Sequence, residues 1–512
     1  MKLNESTNLL IKRVKYFCRQ YLSTMHSLWA GPEWACSEDL SDAGLQQKHI
    51  ALSLLQNKIE KELKGDNNVI SQAALGELLR FTHGQMAVHK KNPYKTHTTA
   101  YLKLCSFALL PPYCTWVFQS DMSYYSHENT EAQIKKCLGW IAICEERIRN
   151  SQITFAKNDH TIIRQIISSL REVPFSILEE SQLLCEKLNG LTNLGSGKIS
   201  NDGLHVDIRK YVCTVLGYQS SIEKLMSNLH SFLEEGINKL ARTNEKKEAV
   251  PLGTYNDSNN YPKLFQNIRE CIAEKTLTNI GPDGKIIKMP PFMEPFGAEA
   301  LFLPGTIAQL ADHHVILMFR DTHFQSATHW RENIYPLLIL AHELCPGHGE
   351  HFRRALTSPL SEVFQITQSP IGFEGWASFG EGRIAALDNN FHGLADLIHY
   401  RRVRRLFAAF KLIGKIVLGE KESERILQNF LQHLHSTYAN LLASMSMEVC
   451  LHLLPYGIGI VETEKSLRMI AERKGMQAVD ASCIEEYLHY GPLIPSSIRA
   501  LALKVDTQEG EC

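Results

Sequence analysis

His342 and Glu343 close an apolar run, Leu337-Leu338-Ile339-Leu340-Ala341, and His348 follows six residues after His342. Burying an imidazole and a carboxylate unpaired at the end of such a run would cost several kcal/mol. A divalent metal removes that cost and employs both groups. In zinc hydrolases neutral imidazoles hold the ion, and the adjacent Glu takes a proton from the water on it. A lone His-Glu pair more often marks a helix end with a satisfied histidine and a surface acid. A second motif reverses that balance. In Gly372-Phe373-Glu374-Gly375-Trp376-Ala377-Ser378-Phe379-Gly380-Glu381, two acids stand seven residues apart. On a helix that spacing puts them on one face. With aromatics between them they read as inward-facing acids, Glu374 a metal ligand and Glu381 a partner that orients an imidazole N–H. The plainer alternative is a pair of surface acids, or partners of Arg383.

The spacing of the histidines makes a demand on the backbone. In H-E-x-x-H motifs the two histidines are four apart on one helical face, but here that fourth position is Pro346. Proline lacks an N–H, and its ring collides with the carbonyl four residues back. At 100° per residue His348 would point about 240° away from His342 in an unbroken helix. A break at Pro346-Gly347, using the freedom of glycine, is therefore required if both are to bind one ion. Cys345 shares a face with His342 and thiolate is a good zinc ligand, yet nothing else in the sequence suggests a soft-ligand site. His351 is a weaker stand-in for His348.

The elements that must position these groups read as helices. Ser176-Ile177-Leu178-Glu179 is a capping box after Pro174, predicting a helix that stops at Gly190. Apolar residues repeat at three and four from Tyr211 to Leu240, predicting one long amphipathic helix with a core-facing stripe. Thr243 to Lys263 is polar and turn-rich, a linker or surface loop. Gly281-Pro282-Asp283-Gly284 reads as a turn, with strands at Ile286-Ile287-Lys288-Met289 and Val315-Ile316-Leu317-Met318-Phe319. From Glu332 to about Val505 the pattern is helical again. The expectation is a mainly α fold, a large helical body with a few short strands near the active-site helix. Three regions follow: helical 1–242, a linker or loop over 243–284, and a zinc-binding catalytic region over 285–505. Gly195-Ser196-Gly197-Lys198 imitates a phosphate loop, but Thr192 and Ile199 occupy the positions where a glycine and a hydroxyl are needed. It is a polar loop.

Composition bounds the rest. A chain of 512 residues with 44% hydrophobic and 21% charged residues can bury a large core. A net charge of −1 supplies no global field for nucleic acid or an anionic membrane. Arg401, Arg402, Arg404 and Arg405 read as a solvated or ion-paired helix face. The 13 cysteines are scattered without a C-x-x-C pair, as expected of reduced thiols in a cytosolic protein. The start Met1-Lys2-Leu3-Asn4-Glu5-Ser6 has no apolar signal region, and no stretch nears the roughly 18 apolar residues of a membrane span. Cytoplasmic residence is the expectation, although export by another route leaves no mark in such a sequence.

The run His342-Glu343-x-x-Pro346-Gly347-His348, followed by Glu374-Gly375-Trp376-Ala377-x-x-x-Glu381, resembles the domain-of-unknown-function-885 family, which is similar to gluzincin-type zinc metallopeptidases. The resemblance extends through Glu448-Val449 and Pro455 to Gly491-Pro492-Leu493-Ile494-Pro495, covering about 285–505. It implies a helical peptidase-like body with one zinc per chain in a deep channel, held by His342, His348 and Glu374, with Glu343 as base. Two positions depart from the family pattern. Gly349 stands where a second histidine is usual, and Val461-Glu462 where a Tyr-Lys pair is usual. An oxyanion-stabilising role for that tyrosine would therefore have been lost or moved; Tyr456 and Tyr490 are the expected replacements, with Tyr487 and His489 as further candidates.

The leading functional expectation is hydrolysis of a peptide or related amide. Glu343 would move the proton, and a phenol or imidazole N–H would hold the oxyanion. A zinc amidohydrolase of a specialised small molecule uses the same chemistry in another pocket. A non-catalytic zinc-binding scaffold is the third possibility, although a scaffold has no need of Glu343. No nucleic-acid or membrane partner is expected.

Overall fold

Helix-spaced apolar residues dominate the chain, and the fold is mainly α, as the sequence predicts. The computed structural model describes residues 3–22, 38–66, 68–91, 93–118, 127–156, 158–173, 178–194, 199–200, 207–218, 220–243, 284–293, 300–304, 315–319, 335–385, 393–490 and 493–509, with Gln266, Glu270 and Phe296 besides. The first helix shows the general logic. In α1 (Glu5–Tyr21) the Asn4 side chain accepts from the Thr7 N–H at 2.7 Å, and Thr7, Leu10, Ile11, Val14, Phe17 and Cys18 form one buried stripe. There follow α2 (Asp42–Gly65), α3 (Val69–Lys91), α4 (Thr99–Phe118), α5 (His127–Arg149), α6 (Asp159–Glu172), α7 (Glu179–Leu194) and α8 (Ile222–Thr243).

Two expectations need correction. The helix predicted to stop at Gly190 continues to Leu194, because nothing crowds Gly190 and a lone glycine only weakens a helix. The single helix predicted from Tyr211 is two elements. A π-turn over Tyr211–Val215 ends at Gly217, whose φ of +71° leaves the helical region, and Ser221 caps α8 by accepting from the Lys224 N–H at 3.0 Å. The apolar rhythm carries across the break and hides it. The Ser176-Ile177 cap, the 195–198 loop, the polar stretch 244–263 and the 281–283 turn lie outside the described residues.

Among the described residues, strands form two small sheets. β1 (Phe155–Ala156) pairs parallel with β2 (Ile199–Ser200). In the second, β5 (Val315–Phe319) lies between β3 (Gly284–Lys288), parallel to it, and β4 (Ala300–Pro304), antiparallel. Both predicted strands are present, and β4 is added to them. The remaining helices are α9 (Tyr335–Glu343), α10 (His348–Thr357), α11 (Ser361–Thr367), α12 (Pro370–Arg383), α13 (Leu394–Val417), α14 (Glu420–Leu431), α15 (Ser436–Ala443), α16 (Met447–Arg473), α17 (Ala481–His489) and α18 (Pro495–Glu509).

The buried hydrophobic residues gather into two cores. Residues of α4 to α7 pack with Met289, Phe292, Met293, Leu303 and Met318 in one. The other joins α1 to α3 and α8 to α9 through α18. The N-terminal helices are thus built into the body that carries the site. Its central feature is the crossing of α12 on α16, where glycines meet. A Cβ on Gly375 would lie 2.5 Å from the Gly459 carbonyl oxygen. Only glycine at both positions lets the two backbones touch. Among the described residues, no single helix is long and apolar enough to cross a membrane.

Candidate metal centre

The site begins with the break that Pro346 imposes. α9 ends at Glu343, the chain crosses Leu344 to Gly347 with a cis Cys345–Pro346 bond, and α10 starts at His348. The turn is held by the chain itself. The Gly347 N–H donates to the Ala341 carbonyl at 2.9 Å, and the Trp376 indole N–H reaches the carbonyls of Pro346 and Gly347 at 2.8 and 3.1 Å. Glycine is required at two points here. A Cβ on Gly347 would fall 1.8 Å from the His342 carbonyl oxygen, and one on Gly349 would fall 2.6 Å from that of Leu344. The break turns His348 back, so the two imidazole rings lie 4.7 Å apart at 78°.

α12 delivers the acids. Ser369 caps it by accepting from the Gly372 N–H, and Pro370 occupies the first turn, where its missing N–H costs nothing. Glu374 Oε2 stands 3.3 Å from His342 Nε2 and 3.4 Å from His348 Nε2. These are long for a charge-assisted hydrogen bond, which is about 2.7–2.9 Å. They match the roughly 3.3 Å edge of a tetrahedron whose bonds are about 2.0–2.1 Å, the zinc value. His342, Glu343 and His348 also offer ligand atoms that lie within 4.8 Å of one another, and this cluster could hold a metal ion. The neutral-nitrogen and carboxylate donor set fits zinc chemistry.

Glu381, one turn pair further along α12, is 1% exposed and faces three partners. His342 Nδ1 lies 2.9 Å from Oε1. Arg401 donates to its two oxygens at 3.0 and 3.2 Å, and Arg405 does so at 2.8 and 2.9 Å. Arg401 and Arg405 of α13 are therefore ion-paired and fixed beneath a candidate ligand. Arg402 pairs with Glu464. From sequence Arg401 and Arg405 could not be separated from their neighbours, because only the angular position of α13 distinguishes them. β4 supplies another unforeseen contributor. Its Phe302 ring lies 6.0 Å from that of His348 and 6.1 Å from that of Phe373, which stacks on His348 at 3.9 Å.

Electrostatics follow from this dense burial. Desolvation alone would lower His342, but Glu374 and Glu381 raise it to about 9. Burial would raise Glu374, yet the facing His348 and His342 hold it well below the usual carboxylate range. Glu343 is raised, chiefly by burial, and His348 and His342 moderate the effect. Burial and then the charges of Glu374 and Glu343 push the Tyr456 phenol well above 10, so it stays a protonated donor at neutral pH.

His342 and Glu343 open on a cavity of about 410 Å³ whose wall includes Ile339, Arg401, Arg404, Arg405, Leu453 and Tyr456. The Tyr456 ring stacks on His342 at 5.8 Å, and the Arg405 guanidinium lies 5.0 Å from the Tyr456 ring centroid. Other residues singled out from sequence stand elsewhere. Tyr490 ends α17 in the core beside His489, and neither lines the cavity. Tyr487 stacks on Trp376 and shares a 3.2 Å hydrogen bond with Thr463. Cys345 is buried beside the break, outside the converging set. His351 packs on Phe373 and Trp376. Glu462, at one position that departs from the resembled family, pairs with Arg499 at 2.5 Å, away from the cavity.

The architecture is shared. A crystal structure of a proposed lipoprotein from Colwellia psychrerythraea aligns with a TM-score of 0.57 at 11% identity, covering 98% of this chain and 99% of that one. A proposed lipoprotein of unknown function from Shewanella oneidensis aligns with a TM-score of 0.58 at 14% identity, again over 98% and 99%. At such identities the likeness shows the fold alone. No family model matches the chain, and no curated protein does.

Proposed function

We propose that this chain is a zinc-dependent hydrolase of peptide or related amide bonds. The observation that carries the reading is the convergence of the His342 and His348 Nε2 atoms on Glu374 Oε2 at 3.3 and 3.4 Å, with Glu343 beside them in the cavity wall. His342, His348 and Glu374 would hold the ion and leave Glu343 free. Zinc bound there supplies Lewis acidity and lowers the pKa of its water toward neutrality. Glu343 accepts the proton of the attacking water and returns it to the leaving amine. The Tyr456 phenol, stacked on His342 and kept protonated, donates to the carbonyl oxygen as negative charge builds on it. Glu381, clamped by Arg401 and Arg405, fixes the His342 ring.

The deciding experiment pairs metal analysis with Glu343→Gln. Purified protein should carry about one zinc per chain, reduced in His342→Ala, His348→Ala and Glu374→Ala. Glu343→Gln should keep the zinc and lose amide hydrolysis by about two orders of magnitude or more. Unchanged turnover would sink the mechanism, and loss of zinc with activity would make Glu343 a ligand instead. For location, the ten described free cysteines fit a reducing compartment, and we infer cytoplasmic residence. The lipoprotein descriptions of the two solved neighbours favour the opposite reading, and recovery in the membrane fraction would establish it.

A further inference from the structure

Four arginines crowd one stretch of α13, and three of them have carboxylate partners. Arg401 and Arg405 are both bound to Glu381, and Arg402 is bound to Glu464. Arg404 differs. It is half-buried in the wall of the cavity that holds His342 and Glu343, and it makes no ion pair or hydrogen bond with any described residue. A guanidinium cannot lose its charge at any relevant pH, and its planar fork matches a carboxylate. The other acid in this wall, Glu448, is on the exposed side of α16 and leaves Arg404 unpaired. The same wall carries apolar side chains, among them Ile339, Val449 and Leu453.

The position of Arg404 sets a length. It lies three residues, about one helical turn, from Arg401, and residues so spaced have Cβ atoms roughly 5–6 Å apart. Arg401 is fastened to Glu381, which touches His342. Arg404 also shares one cavity of about 410 Å³ with His342 and Glu343, a volume roughly 9 Å across if compact, so a carboxylate bound at Arg404 would sit within about one or two amino-acid residues of the reacting centre, successive Cα atoms being about 3.8 Å apart.

We propose that Arg404 recognises the free C-terminal carboxylate of the substrate, so that the chain cleaves the last or next-to-last amide of a peptide or N-acyl amino acid, with an apolar side chain against Ile339, Val449 and Leu453. This rests on the amide-hydrolase reading above. It makes the enzyme a carboxypeptidase in its preference, and it assigns Arg404 a binding role without any part in proton transfer.

The test uses zinc-loaded full-length protein and N-acetylated tripeptides ending in leucine, each made as the free acid and as the C-terminal amide. The wild type should favour the acid on the order of 100-fold in kcat/KM, the scale of a charge-assisted pair lost inside a cavity. Arg404→Met should bring the acid-to-amide ratio to within about threefold, and Arg404→Lys should restore roughly a tenth of it. Circular dichroism checks that each variant is folded. The same peptides are titrated calorimetrically into Glu343→Gln, with and without Arg404→Met, so that recognition is read without turnover. Equal cleavage of acid and amide by the wild type, or an undiminished preference in folded Arg404→Met, overturns the inference and leaves the hydrolase reading standing. Binding that prefers the acid and needs Arg404, without cleavage of either peptide, supports the carboxylate site and removes the hydrolase reading. Neither cleavage nor preference in binding defeats both.

Discussion

Glu381→Ala separates the two jobs of one buried carboxylate. In the native protein it holds Arg401 and Arg405, which are 8% and 4% exposed, and stands 2.9 Å from His342 Nδ1. Removing it takes from two buried guanidinium groups the carboxylate that both of them bind. Loss of one partner from a buried pair costs about 3–5 kcal/mol, a large share of the roughly 5–15 kcal/mol that keeps a protein folded. The metal-free variant should therefore unfold at a markedly lower urea concentration, followed by far-ultraviolet circular dichroism. Zinc affinity, measured by competition with a chelating dye, should fall about 10- to 100-fold, because the His342 ring loses the group that orients it. A triple variant, Glu381→Leu with Arg401→Met and Arg405→Met, tells these effects apart. It replaces the ionic cluster with apolar side chains of similar volume, which is often neutral for stability. Its urea midpoint should return to near the wild-type value while its zinc affinity stays low. The reasoning fails if Glu381→Ala costs less than about 1 kcal/mol, or if the triple variant is as unstable as the single one.

At the helix crossing, Gly375→Ala would place a Cβ 2.5 Å from the Gly459 carbonyl oxygen and 2.6 Å from Thr463 Oγ1, so α12 and α16 must separate. It should cost about 1–3 kcal/mol and weaken zinc binding through the adjacent Glu374, whereas Gly382→Ala, with open space around it, should be neutral or slightly stabilising; equal melting temperatures for the two variants would refute this. Zinc affinity should depend on pH because metal-free His342, raised to about 9, carries a proton that the ion must displace. The apparent affinity should climb about tenfold per pH unit from 7 and level off above 9, with about one proton released per zinc in calorimetry; a flat profile would exclude His342 as a ligand. By the same sign, the stability that this proton gives the metal-free protein is complete below the unfolded value of about 6.5 and is lost as pH rises through about 9.

The helical class, the strands read at 286–289 and 315–319 (the first observed at 284–288), and the break at Pro346-Gly347 were legible because each rests on a local rule: period, composition or proline sterics. The two acids of α12 were legible for the same reason, seven-residue spacing on one face. What escaped depends on distant parts of the chain. Trp376 reads as a core aromatic until its N–H is seen to reach carbonyls 29 and 30 residues earlier. The pairing of Glu381 with Arg401 and Arg405 spans 20 and 24 residues, and no local pattern specifies it. Tyr456 and Tyr490 were equivalent in the sequence; the rotation of α16 brings the first to the cavity, and the end of α17 buries the second elsewhere. Gly217 was missed because an apolar stripe reports which side faces the core and is silent about a short interruption.

The groups at this site arrive on separate helices: His342 and Glu343 on α9, His348 on α10, Glu374 and Glu381 on α12, the arginines on α13 and Tyr456 on α16. An unfolded chain offers a cation no comparable grip, since even the nearest ligand pair is useful only once Trp376 has fastened the broken segment. If the site holds an ion, assembly should precede loading, with the proton on His342 in the electrostatic role of the future ion until then. A cation bound there would act as a late clasp: it would close a finished structure and slow its opening, so that metal supply would govern how long each copy survives proteolysis.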